Sequence, residues 1–237
     1  MGRKHHRPGE YFLFFIAFIL NMNVTFFPLN GFIPKMRNTL LILIALTVYT
    51  INCDAQTMAG MKMNSHRNIY LLMMDTMMTT MSKTPKAETV DRYFLLQMIP
   101  HHEGALAMAS YEINHGKNFK MQQVAKNIFI EQNNEIQLMQ IWLKSPMTAS
   151  KVTSAYKREM GQTMATMMLA MPEEKSLNNS DKSFALVMIP HHQAGINMAK
   201  VLLKYENQKV LRSYAIQLIS DQEADIEQMK YLLKYKL

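Results

Sequence analysis

The sequence predicts an all-α protein, most simply a bundle of antiparallel helices. Three observations lead to this class. The chain matches itself when it is shifted by about 90 residues, so one long unit occurs twice. Methionines recur at the three- and four-residue spacing of a helix, and no stretch shows the alternation of a strand.

The repeat is clearest around a Met-Ile-Pro-His-His segment. Residues 94–102 read FLLQMIPHH, and residues 184–192 read FALVMIPHH. The offset is constant, and it pairs Met74, Met77, Met78 and Met81 with Met164, Met167, Met168 and Met171, Gln132 with Gln222, and Met139 with Met229. This indicates a tandem duplication, with repeat 1 at residues 65–147 and repeat 2 at residues 148–237.

Each repeat reads as three helices. The first is expected at about 65–81 and 154–171, where methionines form one stripe and a proline follows as a stop signal. The third is expected at about 119–144 and 208–235. Three helices leave an apolar face exposed, so we expect the two repeats to share one core.

The second helix of each repeat is expected to begin near Asp91 or Asp181, because an aspartate suits an N-cap. The first copy ends near His115. Pro100 and Pro190 allow two geometries: each kinks its helix from inside, or each occupies the first helical position. Both geometries put the adjacent His pair at a special point of the backbone.

Residues 36–55 have the layout of a signal peptide, with Lys35 and Arg37 before a short apolar run and small or polar residues after it. Cleavage after Ala55 is one expectation. The alternative is a lipoprotein signal in which Cys53 carries the lipid. The predicted location is therefore the periplasm or the cell surface, with a lipid anchor in the second case.

Two further N-terminal segments are distinguished. Residues 1–35 are either an over-extended start of the chain or an N-terminal membrane segment. Residues 56–64 form a Met-rich stretch among Gly and Asn, where no core explains the sulfurs, and we interpret it as a flexible copper-capturing segment.

Composition excludes several classes. Lys and Arg total 26 against 18 Asp and Glu, a net charge of +8, but the bases are scattered and do not form a nucleic-acid-binding patch. A single cysteine excludes an internal disulfide and a cysteine-based metal site. The 24 methionines are unusual, and since a thioether both fills cores and binds Cu(I), only position can separate these uses.

The candidate metal ligands are the paired histidines and the methionines on the same helical faces. Residues three, four and seven apart share a face, whereas adjacent histidines point about 100 degrees apart. One histidine of a pair can therefore face the bundle interior and the other a neighbouring helix. The candidates are His101, His102, Met98, Met108, Met78, Met81 and Met139 in repeat 1, and His191, His192, Met188, Met198, Met168, Met171 and Met229 in repeat 2. Imidazole and thioether donors together favour copper, particularly Cu(I).

Carboxylates recur at matched positions on the third helices. Glu131 and Glu135 correspond to Asp221 and Asp225, and the spacing of four puts each pair on one helix face. They are either hydrogen-bond partners that fix the tautomers of metal-binding histidines or caps and ion pairs on an exposed face. The spacing leaves both interpretations open.

No enzyme motif is recognised. The chain has no HExxH, no Gly-rich phosphate loop and no Ser or Cys nucleophile motif. Glu112 and His115 have the Glu-x-x-His spacing of di-iron bundles, but their counterparts are Leu202 and Tyr205. A protein without catalytic activity is therefore predicted.

The combined pattern resembles a known family. Met98 to Ala109 with Gln132 to Leu143, and Met188 to Ala199 with Gln222 to Leu233, resemble the family of domain of unknown function 305. The resemblance implies an exported protein with a ferritin-like helical bundle. CopM-type members bind copper through Met and His, which implies that role for the His pairs and nearby methionines. Leu232 replaces a Trp of the family pattern, but no candidate ligand is lost.

The predicted function is thus exported copper binding, with sequestration or transfer of Cu(I). One alternative is a structural or interaction module whose histidines are hydrogen-bonded core groups. Another is a metal-dependent redox enzyme of ferritin-like type. The predicted partners are the metal ion and either a second copy of the chain or a metal-transfer protein. Membrane anchoring at the N-terminus is a further expectation. No nucleic-acid partner is predicted.

Overall fold

Helices account for most of the residues that the computed structural model describes, 67–145 and 150–237. In chain order they are α1 (Ile69–Ser82), α2 (Val90–His115), α3 (Phe119–Lys144), α4 (Ser154–Leu169), α5 (Ser180–Tyr205) and α6 (Lys209–Tyr235), with a 3-10 turn at Glu174–Ser176. These described ranges contain no strand, only an isolated bridge between Thr89 and Lys151. The all-α class is confirmed.

The predictions about the N-terminus lie outside the described residues. They concern the segment 1–35, the signal peptide 36–55, the lipidation of Cys53 and the Met-rich segment 56–64. Among the described helices, none has the length and apolar character needed to cross a membrane.

The bounds of the first helices differ from the prediction at one end each. In repeat 1 the helix begins at Ile69, not near residue 65, because Asn68 is the N-cap and its side chain accepts a hydrogen bond from the backbone of Tyr70. In repeat 2 the helix ends at Leu169, because the backbone N–H of Ala170 bonds back to the last turn. The third helix of repeat 1 has the predicted bounds, Phe119–Lys144.

α2 and α5 begin one residue before the aspartates that were expected to cap them. Thr89 and Asn179 hold the N-cap positions, so the predicted capping by Asp91 and Asp181 is wrong. Asp181 serves another helix, because its carboxylate accepts a hydrogen bond from the backbone N–H of Asn118 at 2.7 Å. That contact fixes the start of α3 beside the start of α5.

α2 and α5 continue through their prolines. Pro100 and Pro190 both lie inside helices of 26 residues, so the geometry in which proline begins the helix is wrong. A proline cannot donate to the carbonyl four residues earlier, which leaves Leu96 and Leu186 without that helical donor. The local ladder is therefore interrupted one turn before each His pair.

Four long helices form the bundle, and the two shorter ones cover it. α2 packs on α3, α5 packs on α6, and the two hairpins meet through contacts of α2 with α5 and of α3 with α6. α1 packs mainly on α2, and α4 packs on α5. One apolar cluster contains residues of all six described helices, so both predicted repeats contribute to it. The duplication itself stays an inference from the sequence.

α2 and α5 run antiparallel through the middle of the bundle. The hydroxyl of Ser180, at the start of α5, lies 3.1 Å from Glu112 near the end of α2. The rings of His101 and His191 meet near the midpoint of both helices. Antiparallel packing therefore brings the two His pairs face to face at the centre.

Candidate metal centre

The four motif histidines lie together in the core, and none of them is exposed. His101 and His102 on α2, and His191 and His192 on α5, all have a relative exposure of 0%. The rings of His101 and His191 stack, with centroids 3.9 Å apart and planes inclined by 27°. We call His101 and His191 the inner pair, and His102 and His192 the outer pair.

A backbone hydrogen bond fixes the tautomer of one inner histidine. Nε2 of His191 lies 3.1 Å from the carbonyl oxygen of His101. A carbonyl can only accept, so Nε2 of His191 carries the hydrogen, and Nδ1 carries a lone pair. That lone pair is available to a metal ion.

The outer pair contacts carboxylates of the other two long helices. Nε2 of His102 lies 2.6 Å from Oε2 of Glu135 on α3, and Nε2 of His192 lies 3.2 Å from Oδ2 of Asp225 on α6. Of the two interpretations of these carboxylates, the structure supports hydrogen-bond partners of histidine for Glu135 and Asp225. Their side chains are largely buried, so the exposed-face interpretation does not describe them.

Several ring nitrogens in this group have no hydrogen-bond partner among the residues that the structure describes. They are both nitrogens of His101 and Nδ1 of His102, His191 and His192. A buried polar atom without a partner costs about 1–3 kcal/mol, so a native core rarely collects five of them. A metal ion is one group that satisfies imidazole lone pairs, and this donor set fits it.

The inner pair is held in its neutral form. Burial, followed by the neighbouring imidazoles of His191, His102 and His192, holds the pKa of His101 well below its ordinary value. Burial is also the main reason that the pKa of His191 is well below its ordinary value. A neutral imidazole is the form that binds metals.

Three of the four predicted carboxylates converge where α3 meets α6. Glu131, Glu135 and Asp221 each place one oxygen within 4.8 Å of the others. Burial, followed by the charges of Asp225, Glu135 and Asp221, raises the pKa of Glu131 to about 7. Asp221 also accepts two hydrogen bonds from the amide of Gln217, at 2.7 and 2.9 Å.

The predicted methionines occupy three kinds of position. Those beside the histidines on α2 and α5 are at most 1% exposed: Met98, Met108, Met188 and Met198. Met139, Met229 and Met81 are also buried, whereas Met78 and Met171 are partly buried at the edge of the core. Met168 is 38% exposed, which sets it apart from the buried donors.

Helical spacing places the buried methionines on the same helix faces as the inner pair. Met98 precedes His101 by three residues and Met108 follows it by seven, so all three share one face of α2. Met188 and Met198 have the same spacing from His191, so these three residues share one face of α5. The sulfur of Met139 has another partner, the hydroxyl of Tyr214 at 3.7 Å.

Two polar residues of the core were not recognised from the sequence. The hydroxyl of Tyr214 lies 3.4 Å from Glu135, but its counterpart in repeat 1 is Val124, so the repeat gives no signal. Glu112 was considered only with His115. Its carboxylate instead accepts hydrogen bonds from Tyr70 at 2.6 Å and Ser180 at 3.1 Å, while His115 stacks on Tyr111.

A family model and a curated relative match this chain in sequence. The family described as "Domain of unknown function (DUF305)" matches residues 35–143 and 144–233. An uncharacterised protein of Acanthamoeba polyphaga mimivirus is 37% identical over 62 residues, which are 26% of this chain and 41% of that protein. The chain thus spans less than half the length of that relative.

Two solved structures align with part of this chain. A DUF305 fragment from Deinococcus radiodurans is 22% identical with a TM-score of 0.45, and the match covers 63% of this chain and 99% of that chain. CopM in its Cu(I)-bound form is 27% identical with a TM-score of 0.45, and the match covers 62% of this chain and 98% of that chain.

Proposed function

This chain belongs to the DUF305 family, and from that premise we propose that it is an exported protein that binds copper as Cu(I) and sequesters it or passes it on. The observation that carries the proposal is the inner pair, two stacked and wholly buried imidazoles with unpartnered nitrogens. The activity proposed is binding, without a catalytic step.

The donor types favour copper over other ions. His101 and His191 supply neutral imidazole nitrogen, and the methionines on their helix faces supply thioether sulfur. Soft sulfur donors select Cu(I), whereas Mg²⁺, Ca²⁺ and Mn²⁺ prefer oxygen. A wholly buried site also suits a singly charged soft ion better than a strongly hydrated one.

Met98, Met108, Met188 and Met198 are therefore the sulfur ligands we propose for the inner pair. All four are buried, so they also pack the core, and a single methionine can serve both purposes. The remaining predicted methionines line the surrounding core or its edge and are not needed for this minimal set.

The test is a Cu(I) competition titration of the full chain against a chelator of known affinity. We expect the double substitution His101→Leu and His191→Leu to weaken Cu(I) binding at least tenfold, about 1.4 kcal/mol. Leucine removes the nitrogens of His101 and His191, nearly preserves the volume and adds no unpaired polar atom, so the apo variant should fold. His115→Ala is the matched control, because it removes an exposed imidazole from the same helix.

A second pair of variants tests the sulfurs. Met108→Leu with Met198→Leu conserves volume and should cost less than about 1.5 kcal/mol of stability, while Cu(I) affinity falls. If the affinity and stoichiometry of both double variants equal those of the parent, the copper proposal is wrong. The histidines are then structural core groups.

A further inference from the structure

One end of the bundle combines lysines with exposed aromatic rings. It is formed by the loop between α2 and α3, the first turn of α5 and the last turns of α6. The backbone N–H groups of Lys117 and Asn118 donate to Asp181 at 2.9 and 2.7 Å, and the side-chain amide of Asn118 donates to the carbonyl of Lys236 at 3.2 Å. These contacts hold the three segments together. We call this surface the basic end: Lys117, Phe119, Lys120, Lys182, Tyr231, Lys234, Tyr235 and Lys236.

The exposed aromatic side chains of residues 67–145 and 150–237 all lie at the basic end. Phe119 is 71% exposed, Tyr231 52% and Tyr235 57%. The centroids of the two tyrosine rings lie 5.1 Å apart. Apolar side chains scattered singly over a surface need no explanation, but rings confined to one end of a bundle indicate a contact surface.

The five lysines of the basic end are exposed, and none forms an ion pair within the described part of the chain. The acids near them have other partners. Asp181 accepts from two backbone N–H groups, Glu173 pairs with Lys175 at 2.6 Å, and Glu174 accepts from the backbone of Asn68. The basic end therefore presents an excess of positive charge.

Helix electrostatics do not account for three of these lysines. Lys120 lies in the first turn of α3 and Lys182 in the first turn of α5, while Lys117 directly precedes the N-cap of α3. The N-terminus of a helix carries a partial positive charge, so a cation is unfavourable there. Lysines at these positions therefore indicate a use other than stabilising the helices.

The opposite end of the bundle differs at the corresponding positions. Asn207 stands 90 positions from Lys117, Val210 stands 90 positions from Lys120, and Ser145 stands 90 positions from Tyr235. Lysines do occur at that end, but without exposed rings in the described residues. The combination of charge and rings therefore belongs to one end, not to the repeated unit.

A phospholipid surface with anionic head groups matches both features. Its negative potential attracts lysines, and phenylalanine and tyrosine rings lie favourably between head groups and acyl chains. The start of α1 also lies at this end, because the side chain of Asn68 donates to the carbonyl of Leu177, just before α5, at 3.2 Å. Residues 1–66 therefore join the bundle here, and one of the two predicted export signals places a lipid on Cys53.

We propose that the basic end docks on an anionic phospholipid surface. Its lysines contact the head groups, and the rings of Phe119, Tyr231 and Tyr235 lie at the edge of the acyl region. The loop between α2 and α3 then faces the membrane, and the C-terminal end of α3 points away from it. The inference stands without the copper proposal, since no proposed copper ligand belongs to the basic end.

The experiment measures tryptophan fluorescence on vesicles whose acyl chains carry bromine, which quenches tryptophans close to them. Trp142 is the single native tryptophan, and it lies about 35 Å from Phe119 along α3 at about 1.5 Å per residue. The native full chain therefore reports the far end, and Phe119→Trp adds a reporter at the basic end.

On vesicles that contain phosphatidylglycerol, the Phe119→Trp chain should lose at least twice the fraction of its emission that the native chain loses. On phosphatidylcholine alone the two chains should lose the same small fraction. Raised salt should reduce the difference, because it screens the attraction between lysine and phosphate. Any binding through residues 1–66 is common to both chains, so the comparison isolates the basic end.

A charge variant of the Phe119→Trp chain replaces three lysines of the basic end: Lys117→Gln, Lys120→Gln and Lys236→Gln. Quenching of the added tryptophan should fall at least threefold, since each lysine near an anionic surface contributes roughly fivefold in affinity. The matched control removes the same charge from exposed positions at the opposite end: Lys151→Gln, Lys157→Gln and Lys209→Gln. It should change the quenching less than twofold.

Three results would overturn the inference. Equal quenching of the native and Phe119→Trp chains on phosphatidylglycerol would show that the basic end does not approach the membrane. Quenching that is as strong on phosphatidylcholine, or that survives in the charge variant, would remove the role of the lysines. Emission of the Phe119→Trp chain that shifts with protein concentration, without vesicles, would assign this end to a second copy of the chain.

Discussion

At the scale of single residues, hydrogen bonds decide which ring nitrogens are free. The carbonyl of His101 can only accept, so it assigns the hydrogen of His191 to Nε2. Both nitrogens of His101 lack a partner, and they cannot both be lone pairs in a neutral ring. The inner pair therefore offers at least one lone pair from each ring to a bound ion.

Glu112 is a buried acid outside the metal centre, and it makes the free energy of unfolding depend on pH. Burial, offset in part by hydrogen bonds from Tyr70 and Ser180, raises the pKa of Glu112 to about 7, above an ordinary value of 4.5. The folded state thus prefers the protonated acid. The contribution of Glu112 to the free energy of unfolding is fully present below about pH 4.5, and it is lost as the pH rises through about 7.

The substitution Glu112→Gln should remove the fall in the free energy of unfolding that occurs as the pH rises. The amide oxygen can still accept from Tyr70, but it carries no charge to bury. Relative to the parent, the variant should gain on the order of 1–2 kcal/mol between pH 5 and about 8, since part of the cost is already offset by hydrogen bonds. Urea unfolding at several pH values measures the difference. Equal pH profiles for parent and variant would show that Glu112 titrates normally in the fold.

At the scale of helices, α2 has a glycine, Gly104, where α1 packs closely against it. A Cβ on Gly104 would lie 2.8 Å from Cγ and 3.0 Å from Cβ of Met77. The small residue is therefore required by the approach of α1, not by an unusual backbone. Gly161 on α4 differs, because nothing lies within 4 Å of its added Cβ.

These two glycines make a matched pair for alanine substitution. Gly161→Ala should stabilise the protein by about 0.5–1 kcal/mol through helix propensity alone. Gly104→Ala gains the same propensity but overpacks Met77, at a cost of about 1–3 kcal/mol, so its net effect should be destabilising. Denaturant unfolding of both variants is the measurement. Equal stabilisation by the two would contradict the close packing of α1 on α2.

Local signals explain which helical features could be predicted. The three- and four-residue spacing predicted six helices, and the bounds expected for α3 agree with the structure, because this signal acts within one or two turns. The contact that Asp181 makes could not be predicted, because its carboxylate accepts a hydrogen bond from the backbone of Asn118, 63 positions earlier in the chain. Continuation of α2 through Pro100 also depends on burial against neighbouring helices, which sequence spacing does not report.

At the scale of the whole molecule, the two halves complete each other at the centre. His101 meets His191, and α3 meets α6 at the carboxylates, so neither half alone contains the inner pair or the group of converging carboxylates. The sequence identified these residues by their repetition. It could not show that histidines separated by 90 positions stack, or that His102 pairs with Glu135 rather than with a methionine, since those contacts arise only when four helices pack.

The central claim is that Cu(I) binds between the halves through the inner histidines and their methionines. Copper K-edge X-ray absorption of the Cu(I)-loaded full chain tests it most directly. We predict a mixed shell, with imidazole nitrogen at about 2.0 Å and sulfur at about 2.3 Å, the lengths these elements typically make with zinc. The imidazole signal should disappear in the His101→Leu, His191→Leu variant. A shell of sulfur alone, or an imidazole signal unchanged in that variant, would contradict the account.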